Sequence, residues 1–370
     1  MEKIFLRKIL LKKIFFTAAL VLAIAFSLSA CGKSKDPQAT PDANSEAPGN
    51  EAEQTDAPAP DSSATASISD YFAVKSNTCY IYESPTHADL RQECFVTYTE
   101  GSRIQRRVAA PKMSSTEIIE YKDGTLTLIY GEPVFYFFEN LLDVEPNMSF
   151  VILKEPLQVG QTWKPDEYSD VEITSMSTRI DTPVGSYDCM EVSTSYVDGR
   201  LQKEYYAPLV GLVKTTYTNA EATVLEYSLM EVVEGAALDV YTSFYKPGTE
   251  PEERSVQIIT NADLAAIFNT EFHAPFSDGT QSLPESVTLD KLVVDRSENC
   301  VYMDFSSDLS ALDNELDILK ALSDTLGNFF DTAKAKPLEH GGEYSSANVT
   351  YGAEDFIEVD LKSASALNFE

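Results

Sequence analysis

The sequence predicts two folded modules: a β-rich N-terminal module with an antiparallel curved sheet or open barrel, and an α+β C-terminal module with helices on one face of a mixed sheet. Residues 68–234 contain many short runs rich in Val, Ile, Thr and Tyr, which turn signals separate. Near Gly235 the pattern changes. Beyond it, strand-like runs alternate with two segments whose apolar residues recur every three or four positions, as in helices that cover a sheet.

The N-terminus is typical of a bacterial lipoprotein signal. Five Lys and Arg residues precede or border an apolar run, Ile14–Leu28, that is too short to cross a membrane as a helix. Leu28–Cys31 then resembles the lipobox, which implies cleavage before Cys31 and a diacylglycerol on its sulfur. We therefore expect residues 1–30 to be removed and the chain to be lipid-anchored on the extracytoplasmic face of the cell membrane. An ordinary secretory signal with an incidental cysteine is the alternative.

The charge of the chain excludes some partners. The chain has 28 Lys and Arg against 59 Asp and Glu. Residues 1–30 hold five of the basic and one of the acidic residues, so the remainder keeps 23 and 58, a net charge of −35. Phosphate binding requires clustered Lys and Arg, so nucleic acid is not an expected partner. Docking on anionic lipid through a basic patch is disfavoured for the same reason, and the acyl chains are expected to hold the protein at the membrane.

Residues 31–67 are predicted to be a disordered linker between the anchor and the first module. They are rich in Pro, Ala, Ser, Thr, Asp and Glu and have little apolar surface to bury. A flexible chain of this length has an r.m.s. reach of about 30–35 Å. The two modules, residues 68–235 and 236–370, would therefore meet their partners at some distance from the lipid.

The first module is predicted from its strand pattern. Lys122–Gly124 and Val197–Arg200 are predicted hairpin turns. Trp163, the single tryptophan, is expected to fill the core, with a ligand platform as the alternative. The strand candidates are Cys79–Glu83, Cys94–Thr99, Thr116–Tyr121, Thr125–Tyr130, Val134–Phe138, Ser149–Leu153, Val171–Ile180, Tyr187–Ser195, Leu201–Ala207, Leu212–Thr218 and Ala222–Val232.

Four cysteines remain besides Cys31. Cys79 and Cys94 lie in two strand candidates around a turn, where they could face each other and form a disulfide; two half-buried thiols are the alternative. Cys189 and Cys300 lie in apolar strand contexts and are predicted to be core residues.

Four segments of the first module resemble a β-rich module of many bacterial surface lipoproteins, whose role is poorly defined. The segments are Pro156–Trp163, Ile180–Cys189, Glu204–Pro208 and Val210–Lys214. The pattern of those proteins has a glycine directly before the last segment, where this chain has Leu209. The resemblance implies a fold rather than a function.

The second module is predicted to contain two helices. Thr260 or Asn261 can cap the first, whose apolar face would carry Leu264, Ile267 and Phe268. The second helix, Asn314–Asp331, is predicted from an apolar stripe, and Pro337 prevents its continuation. The stripe consists of Leu316, Leu319, Leu322, Leu326 and Phe329. The predicted strands are Leu238–Tyr245, a strand-rich piece after Leu283-Pro284, Cys300–Phe305, Ala347–Gly352 and Phe356–Leu361.

Four features of the second module form a further pattern: Leu238–Tyr241, Leu283-Pro284, Val301–Ser306 and the helix from Glu315 to Phe329. Together they resemble the GerMN domain, which is named for proteins of spore germination and sporulation. It implies an α+β fold and a place in sporulation or germination machinery. The segment Lys334–Ser346 departs from the usual ending of the family, a short strand with a glycine turn.

No residue pattern indicates catalysis. His87, His273 and His340 lie in separate segments without metal-ligand spacing and are expected in solvated loops. The sequence has no Gly-x-Ser-x-Gly elbow and no phosphate-binding Gly-rich loop. We therefore predict no catalytic residue, no cofactor and no metal-binding residue.

Acidic and aromatic residues are the weaker candidates for a site. Asp304, Asp308 and Asp313 could bind Ca²⁺, but their spacing does not match an EF-hand, and a structural role at the start of the helix is favoured. Val134–Phe138 carries four adjacent aromatic residues. A strand covered on both faces is favoured there, and a partner groove is the alternative.

We expect a non-enzymatic surface protein that contacts a protein or an envelope polymer, within sporulation or germination machinery as the resemblance implies. The alternative is a receptor for a small ligand or a cation, with its site in a cleft between the modules. A hydrolase that acts on envelope material is the third possibility, and Asp304 is the residue that would test it.

Overall fold

The structure is a computed structural model that describes residues 66–72, 75–87, 90–110, 113–133, 138–310, 312 and 314–362. Contacts divide the chain after Ala66, and Ser67–Glu370 form one compact unit. The predicted signal, Cys31 and nearly all of the predicted linker lie outside the described residues, as do Val134–Phe137 and Asp313. In the described part of the chain, no helix is long and apolar enough to span a membrane.

Twelve strands form one antiparallel sheet that curves into a nearly closed, barrel-like shape. They are β1 (Thr78–Glu83), β2 (Arg91–Glu100), β3 (Arg103–Ala110), β4 (Met113–Lys122), β5 (Thr125–Glu132), β6 (Phe150–Lys154), β7 (Thr162–Trp163), β8 (Ser169–Thr182), β9 (Gly185–Tyr196), β10 (Leu201–Ala207), β11 (Gly211–Thr218) and β12 (Val224–Glu234). A short helix, α1 (Ile68–Tyr71), precedes them. This sheet confirms the β-rich fold that the strand pattern predicts.

The order of the strands explains the shape. β1 to β6 follow one another across the sheet, β7 to β12 do the same, and β1 pairs with β12, so that the two halves join at the first and last strands. The edges of the sheet are β6 and β7. Trp163 Nε1 on β7 donates a hydrogen bond to Val151 O on β6 at 3.0 Å, and the tryptophan is buried, as predicted. This bond joins the two edges.

Two turns show how the sequence sets the hairpins. The predicted turn between β4 and β5 is confirmed, because Asp123 (φ 50°) and Gly124 (φ 69°) both adopt the left-handed conformation that a tight hairpin requires. Leu209, in the turn between β10 and β11, has φ 62°, and its side chain is 72% exposed. The resembling lipoprotein module has glycine at this position, which adopts that conformation without the penalty of about 1–2 kcal/mol for a leucine.

The disulfide predicted between Cys79 and Cys94 is not formed, and both thiols are free. β1 and β2 pair as a hairpin, but Cys79 lies opposite Phe95 and Cys94 lies opposite Tyr80. Because successive residues of a strand point to opposite faces, cysteines one register step apart lie on opposite faces of the sheet. The other two predictions hold, since the side chains of Cys189 and Cys300 are fully buried.

The C-terminal part, residues 236–362, is α+β, as predicted. Its elements are β13 (Leu238–Phe244), β14 (Glu252–Ile258), α2 (Leu264–His273), β15 (Leu289–Asp295), β16 (Cys300–Phe305), α3 (Glu315–Phe330), β17 (Lys334–Glu339), β18 (Gly342–Ser345), β19 (Thr350–Tyr351) and β20 (Ile357–Glu358). β13 and β14 form a two-stranded sheet. β15 to β19 form a mixed sheet in sequence order, with β20 paired to β17. β16 and β17 are parallel, and α3 is the crossover between them.

Both helices differ in detail from the prediction. Asp263, rather than Thr260 or Asn261, caps α2, because its Oδ1 accepts a hydrogen bond from Ala266 N at 3.1 Å. Leu316 of the predicted stripe on α3 is 51% exposed. Glu315 lies on the buried face of α3. Because successive residues of a helix are rotated by about 100°, Leu316 points away from that face.

Phenylalanines fill the core of the C-terminal part. Phe268 on α2 is fully buried, and its ring centroid lies 4.8–6.4 Å from four other phenylalanine rings. The four are Phe244, Phe272, Phe329 and Phe330. Such edge-on and tilted contacts add to the stabilisation from burial.

Direct hydrogen bonds connect the C-terminal part to the sheet. Thr260 Oγ1 donates to Val96 O at 2.7 Å and accepts from Asn77 N at 2.8 Å, while Asn77 Oδ1 accepts from Thr260 N at 2.9 Å. We call these three bonds the Asn77–Thr260 clamp. The next residue, Asn261, accepts a hydrogen bond from Thr99 N at 2.7 Å. The predicted module boundary near residue 235 is therefore bridged by side chains that bind the opposite part.

Candidate ligand site in the sheet interior

One face of the first strands carries polar side chains into the curve of the sheet. Tyr82 on β1 lies opposite Gln92 on β2, and Cys94 lies two residues further along that strand. Arg106 on β3 lies opposite Glu117 on β4. Arg106 lies opposite Val96 on β2. Val96 is two residues from Cys94, so Arg106 and Cys94 lie on the same face of the sheet. These four strands therefore present a polar patch on a single face.

The patch meets side chains from the other half of the sheet. Glu204 and Tyr206 lie on β10, five places from β3 in the strand order. Arg106 nevertheless lowers the pKa of both side chains, which shows that its charge is close to them. Only the curvature of the sheet can bring such distant strands together. We call this group the interior cluster: Tyr82, Cys94, Arg106, Glu117, Glu204 and Tyr206.

Arg106 and Glu117 form the ion pair of the interior cluster. Arg106 Nε lies 2.8 Å from Glu117 Oε2, and the side chains are 15% and 8% exposed. Burial raises the pKa of Glu117, and the guanidinium of Arg106 offsets part of that effect. The pair uses only Nε, and no residue in the described part of the chain accepts a hydrogen bond from the two Nη atoms.

Glu204 is the second acidic group of the interior cluster. It remains partly exposed to solvent, yet burial raises its pKa to about 7. Tyr206, Arg106 and Gln202 each lower the pKa and offset part of this effect. Among the described residues, none forms an ion pair with Glu204. Glu204 therefore gains or loses its proton near neutral pH.

The remaining members of the cluster are neutral. Burial raises the pKa of the Cys94 thiol to about 11 and raises those of Tyr82 and Tyr206 well above 10. Tyr82 donates its hydroxyl hydrogen to Leu212 O at 2.9 Å. Arg106, Glu117 and Glu204 are thus the charged groups of the cluster, and their sum is about −1 when Glu204 is ionised.

Polar contacts continue from the cluster toward the turn between β9 and β10. Tyr196 donates a hydrogen bond to Gln202 Oε1 at 3.1 Å, and Gln202 is next to Glu204 on the same face of β10. Arg200, in that turn, donates to Tyr217 Oη at 2.9 Å and lies 4.9 Å from the centre of the Tyr196 ring. This end of the sheet is opposite to the end that carries the Asn77–Thr260 clamp, because β1 begins where β2, β10 and β12 end.

The acidic residues considered from the sequence serve as turn supports. Asp304 Oδ1 accepts a hydrogen bond from Gly341 N at 2.8 Å, and Asp308 binds Ser310. Asp313 lies outside the described residues. Within the residues that the structure describes, no group of three or more His, Cys, Asp and Glu could hold a metal ion.

Two of the three histidines lie in exposed turns, as expected, but His273 does not. His87 and His340 are exposed. His273 is the last residue of α2, and its Nε2 lies 2.9 Å from Val287 O and 3.2 Å from Pro284 O. It fastens the end of the helix to the loop before β15.

Sequence reasoning missed the members of the interior cluster other than Cys94. Arg106 lies in a strand that was not predicted, and Glu204 lies in a predicted strand but was not singled out. The strand pairing contains an indication of this cluster. Arg106 lies opposite Val96 and Glu204 lies opposite Val192, and both valines are buried. A charge in register with buried apolar neighbours indicates a polar interior.

Comparisons with known proteins give no family. No family model matches the chain, and no curated protein matches it. Two solved structures are similar over 44% of this chain. A protein from Bacteroides fragilis, described as exported and as having a YmcC-like fold, matches over 99% of its own length with 13% identity and a TM-score of 0.31. A protein from Parabacteroides distasonis, described as a lipoprotein, matches over 98% of its length with 14% identity and a TM-score of 0.27. Scores this low carry no argument about this chain.

Proposed function

We propose that the protein is a non-enzymatic, lipid-anchored extracytoplasmic receptor that holds a small ligand in the interior of its barrel-like sheet. One observation supports this best: Arg106 and Glu204 come from distant strands, the charge of Arg106 lowers the pKa of Glu204 across the curve of the sheet, and both side chains remain partly exposed to solvent. Charged side chains are rarely placed in an interior that is simply a core. This observation supports the receptor alternative, for which we propose the sheet interior rather than a cleft between the modules as the site.

The surroundings of the cluster suit a ligand site. Leu229 and Val192 are buried beside it, at positions in register with Tyr82 and Glu204. Sites for small molecules combine apolar walls with a few polar groups that fix orientation. The predicted lipid on Cys31 and the predicted linker would hold this site outside the cytoplasm, close to the membrane.

A ligand screen by thermal shift tests the proposal. The full chain in detergent would be screened against metal ions, sugars, amino acids and muropeptides. We expect one class to raise the melting temperature by several degrees, and Arg106→Gln and Glu204→Gln to abolish that shift. Glu231→Gln removes one negative charge, as Glu204→Gln does, but at an exposed position of β12. This variant should keep the ligand-induced shift in melting temperature. Equal shifts in wild type and Arg106→Gln, or no shift with any compound, would overturn the proposal.

Contact with a protein or envelope partner is the second candidate, and the C-terminal part is the place for it. Tyr241 on β13 is 71% exposed, and Val293 on the edge strand β15 is also exposed. The GerMN resemblance proposes a partner in sporulation or germination machinery. Cross-linking in intact membranes should recover a partner with wild type and lose it with Tyr241→Asp. Recovery of no partner, together with normal spores in a strain that lacks the protein, would exclude this role.

A further inference from the structure

The interior cluster contains two opposite charges that its own residues leave available. Arg106 binds Glu117 through Nε, and its Nη donors bind no described residue. Glu204 forms no ion pair with the described residues. A guanidinium edge binds a carboxylate through parallel hydrogen bonds, and a carboxylate binds an ammonium group. Tyr206 and Gln202 hydrogen-bond to Glu204 but carry no charge that would neutralise it. The Nη edge of Arg106 and the carboxylate of Glu204 are therefore complementary to the two ends of a small zwitterion.

We propose that the sheet interior binds a small zwitterion of the amino-acid or short-peptide class, with the ligand carboxylate on the Nη atoms of Arg106 and the ligand ammonium group on Glu204. This inference rests on the proposed receptor function and names its ligand class. A zwitterion engages both groups at once, whereas a sugar has no charge to pair with either group and a metal ion could pair only with Glu204.

The charge of the site distinguishes a zwitterion from simpler ions. Arg106 and Glu117 cancel, so ionised Glu204 leaves the cluster with a charge of about −1. A simple anion would add a second negative charge beside two carboxylates, in a chain whose net charge is −31. A simple cation would neutralise Glu204 but leave the Nη donors of Arg106 without an acceptor. A zwitterion satisfies both groups.

Proton release should accompany binding. A bound ammonium group favours the charged form of Glu204, so its pKa falls and the affinity rises with pH across neutrality. The groups that face Glu204 do not add a second titration in this range, because the thiol and the phenols are neutral and Arg106 and Glu117 stay paired. These groups, strand by strand, are Tyr82, Cys94, Arg106, Glu117, Tyr196, Gln202 and Tyr206.

Calorimetric titration with matched probes tests the proposal. The probes are the common amino acids and alanyl-alanine, and for each binder its carboxamide, which is only a cation, and its N-acetyl form, which is only an anion. We expect the zwitterion to bind at least tenfold more tightly than either half-ligand. Titration in buffers of different ionisation enthalpy should show the release of up to one proton near pH 7.

Two variants should each lose affinity for the zwitterion while keeping affinity for a different half-ligand. A merely structural role would not produce this difference. Arg106→Gln should weaken the zwitterion at least tenfold without affecting the carboxamide. Glu204→Gln should weaken the zwitterion without affecting the N-acetyl form and should abolish the proton release. Arg106→Lys keeps the charge, so a normal melting temperature with weakened binding separates a binding role from a folding defect. Glu231→Gln serves as the exposed control.

The outcomes separate this inference from the function on which it rests. If no zwitterion binds, or an N-acetyl form binds as tightly as its parent, the ligand class is wrong. If another compound then stabilises the wild type and requires Arg106, the receptor function stands without the zwitterion. If no compound of any class depends on Arg106, both proposals fail.

Discussion

The two parts of the molecule fill their interiors in opposite ways. Phe268 in the C-terminal part is surrounded by four phenylalanine rings and has no exposed surface. In the sheet interior, Arg106, Glu204 and Tyr82 remain partly exposed. A close-packed apolar core maximises stability, whereas buried charges lower it unless they are fully paired. We therefore expect the C-terminal part to be the more stable part of the unit, while the sheet interior keeps charged groups that a ligand could bind.

Removing the central ring of the apolar core should have the largest effect. Phe268→Ala deletes a fully buried side chain and leaves a cavity among rings that cannot collapse, so we expect a loss of about 3–5 kcal/mol in the free energy of unfolding. Urea denaturation followed by circular dichroism would measure it. Tyr241→Ala removes an aromatic ring of similar size from an exposed position and should change stability by less than about 0.5 kcal/mol. A loss below about 1 kcal/mol for Phe268→Ala would contradict the contrast between the two interiors.

Breaking the connection between the parts should have the next largest effect. Thr260→Val preserves the shape but leaves Asn77 N and Val96 O without their partner in the Asn77–Thr260 clamp, which should destabilise the protein by about 2 kcal/mol. Thr270→Val is the control, since Thr270 lies at an exposed position of α2 and its hydroxyl bonds only to Ala266 O within that helix. If the clamp matters, the two parts should also lose their common unfolding transition in Thr260→Val. Equal stability of both variants would show that the clamp contributes nothing.

The polar interior should make stability depend on pH. The folded pKa of Glu204 is about 7, above its ordinary value of 4.5, so the folded state holds the proton more tightly than the unfolded state. The resulting stabilisation is complete below about pH 4.5 and is lost as the pH rises through about 7. After allowance for partial exposure, we expect a loss of about 1–2 kcal/mol between pH 5 and pH 8. Glu204→Gln should remove this loss, and a wild type as stable at pH 8 as at pH 5 would refute the assignment.

Capping of α2 should have the smallest effect. Asp263→Ala removes the oxygen that binds Ala266 N and should destabilise the protein by about 1 kcal/mol. Asp263→Ser keeps a capping oxygen and should retain most of the stability. Thermal unfolding of the two variants would compare them directly. If both lose the same amount, the charge of Asp263 rather than its cap is responsible.

The fold class could be predicted well because the sequence shows both the strand-forming runs and the helical repeat of apolar residues. The runs of Val, Ile, Thr and Tyr became strands of the large sheet, and the three- and four-residue steps became α2 and α3. Strand β3 was missed because Arg103, Arg106 and Arg107 interrupt its apolar pattern. Their charges are accommodated by structure that is remote in sequence: Arg103 binds Glu120 and Leu142 O, and Arg107 lies over the ring of Phe138. Propensity cannot show such partners.

The candidate site could not be predicted, because it depends on curvature and register. Arg106 and Glu204 are almost one hundred residues apart and meet only when twelve strands curl in the observed order. The unformed disulfide has a related cause. A hairpin around a turn was a sound prediction, but a shift of one residue in register sends Cys79 and Cys94 to opposite faces. Sequence spacing fixes such a register only when the loop type is known.

The pairing of the first and last strands has a mechanical consequence. Thr78 at the start of β1 lies opposite Glu234 at the end of β12, so the chain enters and leaves the large sheet at the same corner. A pull on the segment before residue 67 would reach α1 first, because Ile68 N donates to Glu155 Oε1 at 2.9 Å and Leu209 N donates to Asp70 O at 2.7 Å. Tension that passes beyond α1 would meet the Asn77–Thr260 clamp and the ion pair between Lys75 and Glu234 at 2.9 Å, which lie at this corner.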